Sequence, residues 1–258
     1  MGEFVRLDVD DGVAVIRLDR PPANAIDLQL GLELQEAVAE ADARVDVGAL
    51  VVWGGPRLFA AGADIKAMAT WRSEEVAPTV EALGAACDLL EASPKISIAA
   101  VTGYALGGGL ELALACDLRY LATDAKVGQP EIRIGVIPGA GGTQRLTRLI
   151  GAGATRWLVY TGDQVDAGWA HDLGIAEIVR PPDEVFDAAV ADARRLARGP
   201  REALAAAKRA IRAAADGDPD GFRRERELFL NLFGTHDQRE GMAAFLEKRD
   251  PRFGPPST

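Results

Sequence analysis

The chain is short of the residue types that bind metals and form cross-links: its 258 residues include two cysteines and two histidines. Cys87 and Cys116 make neither a metal-ligand spacing nor a disulfide framework, and both fall in apolar helical surroundings, so they read as small core hydrophobes. His171 and His236 are far apart and have no adjacent Cys or acidic pattern, so the expectation is no metal site. Basic residues are also in deficit, with 29 Lys and Arg against 39 Asp and Glu and a net charge of −10. Nucleic-acid binders attract phosphates with a basic excess, so no nucleic-acid partner is expected and the acidity serves solubility. No apolar run is long and uninterrupted enough to cross a bilayer, and no charged-then-apolar export signal opens the sequence. A cytoplasmic chain without membrane insertion is expected. Its chemistry then has to come from carboxylates and backbone groups.

What is present is the composition of a globular protein, 48% hydrophobic and 26% charged with 28 Gly, at a length that accommodates one large domain or a domain with an appendage. Phe4 to Val9 and Val13 to Leu18, separated by Asp10-Asp11-Gly12, read as a β-hairpin. A helix is expected from Asp27, its N-cap, to Ala43, with Leu28, Leu32, Leu34 and Val38 on the buried side. Ala49 to Trp53 reads as a buried strand, Ser73 to Glu91 as a long helix closed by Pro94, and Ile96 to Val101 as a second strand. A glycine turn then feeds a helix through Cys116, and Leu118 to Leu121 returns as a strand. This strand, turn, helix, strand order favours a parallel sheet with helices on its faces, an α/β class. A further glycine-rich turn opens a helix through about Ile150. Beyond Pro181 helical periodicity dominates, over Val185–Ala197, Pro200–Ala215, Gly221–Phe233 and Asp237–Lys248. The Ala- and Arg-rich helix reads as a soluble amphipathic one, and Phe222, Phe229, Phe233 and Phe245 supply apolar surface for the main body or a neighbouring subunit.

Three segments carry the chemistry. In Gly103-Tyr104-Ala105-Leu106-Gly107-Gly108-Gly109-Leu110-Glu111, glycines expose backbone N–H groups at a helix start, and a carboxylate follows on the first turn. Such a segment is either half of an oxyanion hole with a base beside it, or a strand-to-helix turn whose Glu complements the helix dipole. Ala61-Gly62-Ala63-Asp64-Ile65 is a second glycine-bearing turn, and Gln129-Pro130-Glu131-Ile132 places a carboxylate in a loop ahead of Pro138-Gly139-Ala140-Gly141-Gly142-Thr143.

Together and in this order, these segments resemble the crotonase, or enoyl-CoA hydratase/isomerase, family, and the likeness runs from Arg20-Pro21-Pro22-Ala23-Asn24-Ala25 to Glu240-Gly241-Met242-Ala243-Ala244-Phe245. The resemblance implies a crotonase-like spiral of ββα repeats over residues 1–195. It also implies a C-terminal helical trimerisation region over 196–258, giving a homotrimer or a dimer of trimers. It further implies an acyl-CoA thioester substrate, with coenzyme A as part of the substrate and no other cofactor. The oxyanion donors would be the N–H groups of Ala63 and Gly108. Glu111 would activate water and Glu131 would protonate the α-carbon, as in the family's hydratases, whereas its isomerases generally lack one of the pair. Ala23, Ala25, Ala61, Asp64, Ile65 and Lys66 correspond to the coenzyme A and substrate surface. Asp64 is equally an N-cap, Lys66 either approaches the nucleotide end or is an exposed solvated lysine, Lys248 would contribute from an adjacent subunit, and Gly139 is either a water-orienting N–H or a plain turn glycine. The acyl pocket is expected along the helix from Ser73 to Glu91 and its preceding loop, including Met68, Trp71 and Leu83. Isomerisation, dehalogenation or thioester hydrolysis on the same oxyanion hole, or a catalytically silent acyl-CoA-binding scaffold, are the competing readings.

Overall fold

The computed structural model describes residues 2–254. Alternating apolar residues form the hairpin of β1 (Val5–Asp10) and β2 (Val13–Leu18), and Gly12 at φ +80° makes its turn. Helix α1 (Leu28–Ala43) follows, with the Asp27 side chain accepting from the Leu30 N–H as its cap. Its buried stripe is Leu30, Leu34, Ala37, Val38 and Ala41, whereas Leu28 and Leu32 face outward. The expected face mixed two stripes. Residues two apart on a helix lie about 200° around it, so Leu28 and Leu32 cannot share a side with Leu30 and Leu34.

The remaining elements repeat one pattern. β3 (Ala49–Trp53), β4 (Ile96–Val101) and β6 (Leu118–Ala122) run parallel in a six-stranded sheet of order β1-β2-β3-β4-β6-β9, in which only the β1–β2 pair is antiparallel. After each comes a short extended piece outside that sheet: Ala60, bridged to Ala105; β5 (Tyr104–Leu106); and β7 (Lys126–Gly128). After each of those comes a helix. These are α2 (Ile65–Met68) with α3 (Ser73–Ala92), then α4 (Gly108–Ala115), then a 3₁₀ helix (Pro130–Ile134) with α5 (Gly142–Thr161). The short strands form a second, three-stranded sheet, β5-β7-β8, completed by β8 (Gln164–Asp166). Helix α6 (Ala167–Asp172) leads to β9 (Ile178–Arg180) at the edge of the large sheet.

Two expectations are corrected here. Glu131 sits in a 3₁₀ helix begun by Pro130, not in a loop. The helix expected to end near Ile150 does break at Gly151 (φ +76°, ψ 162°) but resumes to Thr161. Helix α7 (Val185–Ala197) lies across β3 and β4 and buries Val185, Ala189 and Ala193 against them. Beyond it, α8 (Arg201–Ala215) is tied to the core by the buried Lys208, whose Nζ donates to Leu90 O, Lys95 O and Asp117 Oδ2. Helices α9 (Gly221–Asn231), which stops short of the expected Phe233, and α10 (His236–Glu247) leave Phe222, Phe229 and Phe245 exposed, as is Phe233 in the turn between them. Cys87 and Cys116 are buried and unbridged, and burial raises both thiol pKa values, so neither is a ready nucleophile. Among the described residues, no helix is long and apolar enough to cross a membrane.

The strand carrying Ala60 presses directly on the first turn of α4, because a Cβ on Gly109 would stand 2.3 Å from Ala60 O. Gly109→Ala is therefore expected to destabilise the fold by about 1–3 kcal/mol in denaturant melts, the usual cost of overpacking. Gly84→Ala in α3, where a Cβ meets nothing within 4 Å, is expected to be neutral or stabilising.

Candidate active site

Two chain reversals meet at the C-terminal side of these strands. In the first, Ala60 N donates to Tyr104 O (3.0 Å) and Leu106 N to Ala60 O (3.1 Å), which lays residues 59–63 beside β5. Gly62 adopts φ +99°, and a Cβ there would stand 2.9 Å from Leu106 O. In the second, Gly107 adopts φ +52°, and a Cβ there would lie 2.8 Å from Glu131 Oε1 and 3.9 Å from Gly62 Cα. A side chain on Gly62 would press on the backbone of the other turn and one on Gly107 would displace the Glu131 carboxyl, and both positions require the positive φ that glycine adopts freely. Ala61 N, Asp64 N and Gly107 N are occupied by Ala23 O, Ile26 O and Gly128 O. Among the described residues, the N–H groups of Ala63 and Gly108 donate to nothing. Both residues line one cavity of about 390 Å³. Gly108 opens α4, so the positive end of that helix adds to its N–H.

Glu111 and Glu131 line the same cavity. Glu111 is only 3% exposed, and its Oε1 accepts from Ala140 N (2.7 Å) and Gly142 N (2.8 Å). Its Oε2 lies 4.0 Å from where a Cβ on Gly108 would stand. Burial pushes the Glu111 carboxyl above the usual range, opposed by those two N–H donors and by the Arg145 guanidinium. Glu131 is raised as well. Burial, with repulsion from Glu111 as a smaller cause, pushes it up to about 7. Beside it is the fully buried Gln129, whose amide nitrogen, when turned toward the carboxyl, donates to Oε1 at 2.8 Å and Oε2 at 3.1 Å. Two carboxyls with different environments in one cavity are the physical requirement for dividing acid and base roles.

The rest of the wall is apolar. Met68, Val76, Val80 and Leu83 face Ile134, Val136 and Ile137. Of the residues expected along α3 and its preceding loop, Met68 and Leu83 line the cavity. Trp71 does not line the cavity, since the chain turns between α2 and α3 carry it aside. Ala61, Ile65 and Gly139 also stand on the wall, with Gly139 against Val80. The N–H groups that reach Glu111 come from the next residues, Ala140 and Gly142. Ala23, Ala25, Asp64 and Lys66 are not on the wall but stand beside it: Arg20 donates to Ala25 O (2.9 Å) and pairs with Asp64 Oδ2 (3.1 Å). Asp64 caps α2 through the Ala67 N–H, and that bond, then Arg20, holds its carboxyl below the ordinary value. Lys66 is exposed on α2, and Lys248 is exposed at the end of α10. Gln129, Ala140, Gly142 and Arg145 were not anticipated as part of the site. Gln129, Ala140 and Gly142 fell inside quoted motifs, but nothing in one dimension tells which turn amides meet a carboxylate 29 and 31 positions away.

A sequence profile of the enoyl-CoA hydratase/isomerase family matches residues 8–256. The chain belongs to this family. A relative named probable enoyl-CoA hydratase from Mycobacterium leprae is 45% identical over 97% of this chain and 98% of its own length. One named crotonyl-CoA hydratase from Syntrophomonas wolfei is 40% identical over 97% of this chain and 98% of its own. A crystal structure from Geobacillus kaustophilus HTA426, named as an enoyl-CoA hydratase subunit, superposes with a TM-score of 0.93 at 41% identity, over 98% of this chain and 99% of that one. The α/β fold is thus the crotonase fold that family members share.

The raised Glu131 carboxyl has a consequence for stability that does not depend on any substrate. A carboxyl whose native pKa lies above its unfolded value of 4.5 holds its proton more tightly when folded, so it favours the fold in acid and loses that contribution as pH rises through about 7. Glu131→Gln never becomes charged. Its melting temperature relative to the parent is expected to rise progressively from mildly acidic to mildly alkaline pH, and a pH-independent difference would contradict the assignment.

Proposed function

We propose that the protein is an enoyl-CoA hydratase that adds water across a trans-2-enoyl-CoA to give a 3-hydroxyacyl-CoA. The observation that carries this reading is the pair of glutamates on the same cavity wall as two unpartnered backbone N–H groups. When the water oxygen bonds to the β-carbon, the C=C electrons move toward the α-carbon and the thioester oxygen gains negative charge. Fixed N–H donors at that oxygen lower the barrier because they are strongest toward the charge of the transition state. Ala63 and Gly108 supply them.

Glu111 takes the proton from the attacking water through Oε2, while Ala140 and Gly142 hold Oε1. Their N–H groups and Arg145 help keep this carboxyl ionised despite its burial. Glu131 retains its proton up to about 7 and delivers it to the α-carbon, which closes the addition. Each turnover leaves Glu111 protonated and Glu131 ionised, and proton exchange between the pair or with solvent resets them. The chemistry calls for no metal or redox group, because water, two carboxyls and two N–H donors account for every bond made and broken. Coenzyme A enters as part of the substrate, along the surface of Ala23, Ala25, Asp64, Ile65 and Lys66. The apolar wall between α3 and residues 134–137 takes the acyl chain. The reading includes a homotrimer or dimer of trimers that covers the exposed Phe222, Phe229, Phe233 and Phe245.

Incubation with crotonyl-CoA and a longer enoyl-CoA, following loss of the conjugated thioester absorbance, is expected to show turnover of both. Glu131→Gln and Glu111→Gln are each expected to lower kcat by about 10²- to 10⁴-fold, the usual range for one acid–base group. Tight binding of both substrates without turnover would instead favour a silent acyl-CoA-binding protein.

A further inference from the structure

The turn that grips Glu111 is itself gripped from behind. Arg145, on the first turn of α5, is 9% exposed. Its Nη1 donates to Ala140 O at 2.6 Å. Its Nε and Nη2 fork onto Glu91 Oε1 and Oε2, both at 3.0 Å, and Nη2 also reaches Asp88 Oδ1 at 3.0 Å. Gly141 wraps the guanidinium at φ +105°, and a Cβ there would stand 2.1 Å from Nη1. The carbonyl held by Arg145 belongs to the peptide between the two amides that serve Glu111. On one side of this turn the chain therefore presents a C=O to a cation, and on the other it presents the Ala140 and Gly142 N–H groups to a carboxylate.

We propose that Arg145 is a positioning residue for Glu111: by fixing the Ala140 carbonyl against the end of α3, it aims the Ala140 and Gly142 amides at Glu111 Oε1 and leaves Oε2 for the substrate water. A planar guanidinium suits this task because it can hold a bidentate carboxylate and a carbonyl at once, whereas a lysine supplies one point charge without the fork. The titratable groups that interact with Glu111 are Glu131 from the 3₁₀ helix, Arg145 from α5 and Cys87 from α3, with Glu91 of α3 standing behind them against Arg145 and Cys87. Of these, Arg145 is the cation. Its loss removes both a favourable charge and the order of two hydrogen-bond donors, and each change makes the Glu111 carboxylate harder to form. α3 also carries Val76, Val80 and Leu83 of the apolar wall, so one helix sets both the pocket and the anchor of the base.

The kinetic part of this inference rests on the hydration reading, but the titration part does not. The amide resonances of Ala140 and Gly142, followed against pH in nitrogen-labelled protein, titrate with Glu111 because both donate to it. In Arg145→Met their common midpoint is expected to move to higher pH. Arg145→Lys is expected to stay closer to the parent. With crotonyl-CoA, Arg145→Met should lower kcat by on the order of tenfold to a hundredfold with KM little changed, as for a small misplacement of a catalytic group. The acid limb of its kcat profile should shift in the same direction as the amides, and Arg145→Lys should recover much of the rate. An amide midpoint unmoved in folded Arg145→Met would overturn the proposal whether or not the parent hydrates crotonyl-CoA. A kcat loss with an unmoved acid limb and no recovery in Arg145→Lys would equally overturn it. Should Arg145→Met fail to fold, Arg145→Gln gives the same decision: it keeps a donor for the Ala140 carbonyl but neither the charge nor the fork, so the midpoint is again expected to rise, and an unmoved midpoint contradicts the proposal.

Discussion

The closeness of Gly62 and Gly107 is the constraint on which the rest depends. Two chain segments from different ββα units approach so tightly that a Cβ on one would meet the other's backbone or the Glu131 carboxyl. That approach is held by ladder bonds of ordinary length, Ala60 N to Tyr104 O and Leu106 N to Ala60 O, which extend the small sheet by one residue. Its result is that two amides, at Ala63 and Gly108, open on the same cavity without partners. Elsewhere in the fold, nearly every buried backbone group must be satisfied internally. Leaving two N–H groups unpaired among the described residues, beside a largely apolar cavity, is a cost, and in the function proposed above a carbonyl oxygen in the gap offsets it.

Around this gap, burial does the electrostatic work, and the local donors decide how far it goes. Glu111 and Glu131 experience the same sign of desolvation, and both rise. They differ in what opposes it. Glu111 has two amides on one oxygen and a guanidinium behind the turn that carries those amides. Glu131 stands in a short 3₁₀ helix with Gln129 beside it, and its partner carboxylate adds repulsion. One fold thereby holds two carboxyls, both raised by burial but set in different hydrogen-bond surroundings, on the wall of a single cavity. Neither shift is a property of glutamate.

Much of this was legible in one dimension, and the exceptions have identifiable causes. The hairpin, the three central strands, α1, α3 and the helical tail stood out because six or more residues of periodic pattern, or a buried five-residue run at Ala49–Trp53, outweigh local noise. Strands β5, β7, β8 and β9 are three residues each, too short for alternation to register, yet β5 and β7 build the small sheet that sets Gly107 in place. The motifs around Ala63, Gly108, Glu111 and Glu131 were readable because glycine at fixed offsets from a carboxylate is unusual, and because their order resembles one family. Arg145 was not readable. An arginine on an otherwise amphipathic helix looks like a solvated charge until the fold brings Glu91 and Asp88 to it, 54 and 57 positions away in sequence. Leu28 and Leu32 failed in the opposite sense: apolar residues invite burial, but the packing of α1 on α3 selects the stripe that contains Gly31.

In the proposed function the two glycine turns polarise a thioester carbonyl, and the carbonyl itself is the best reporter. Butyryl-CoA labelled with ¹³C at its thioester carbonyl cannot be hydrated, so its bound resonance reads the site without turnover. Two hydrogen bonds at the oxygen withdraw electron density from the carbonyl carbon, and the bound signal is predicted to move clearly downfield of the free one. A Gly108→Pro substitution, which deletes one of the two N–H groups, should reduce that displacement while the ligand remains bound. A bound carbonyl that resonates where the free thioester does would contradict the account.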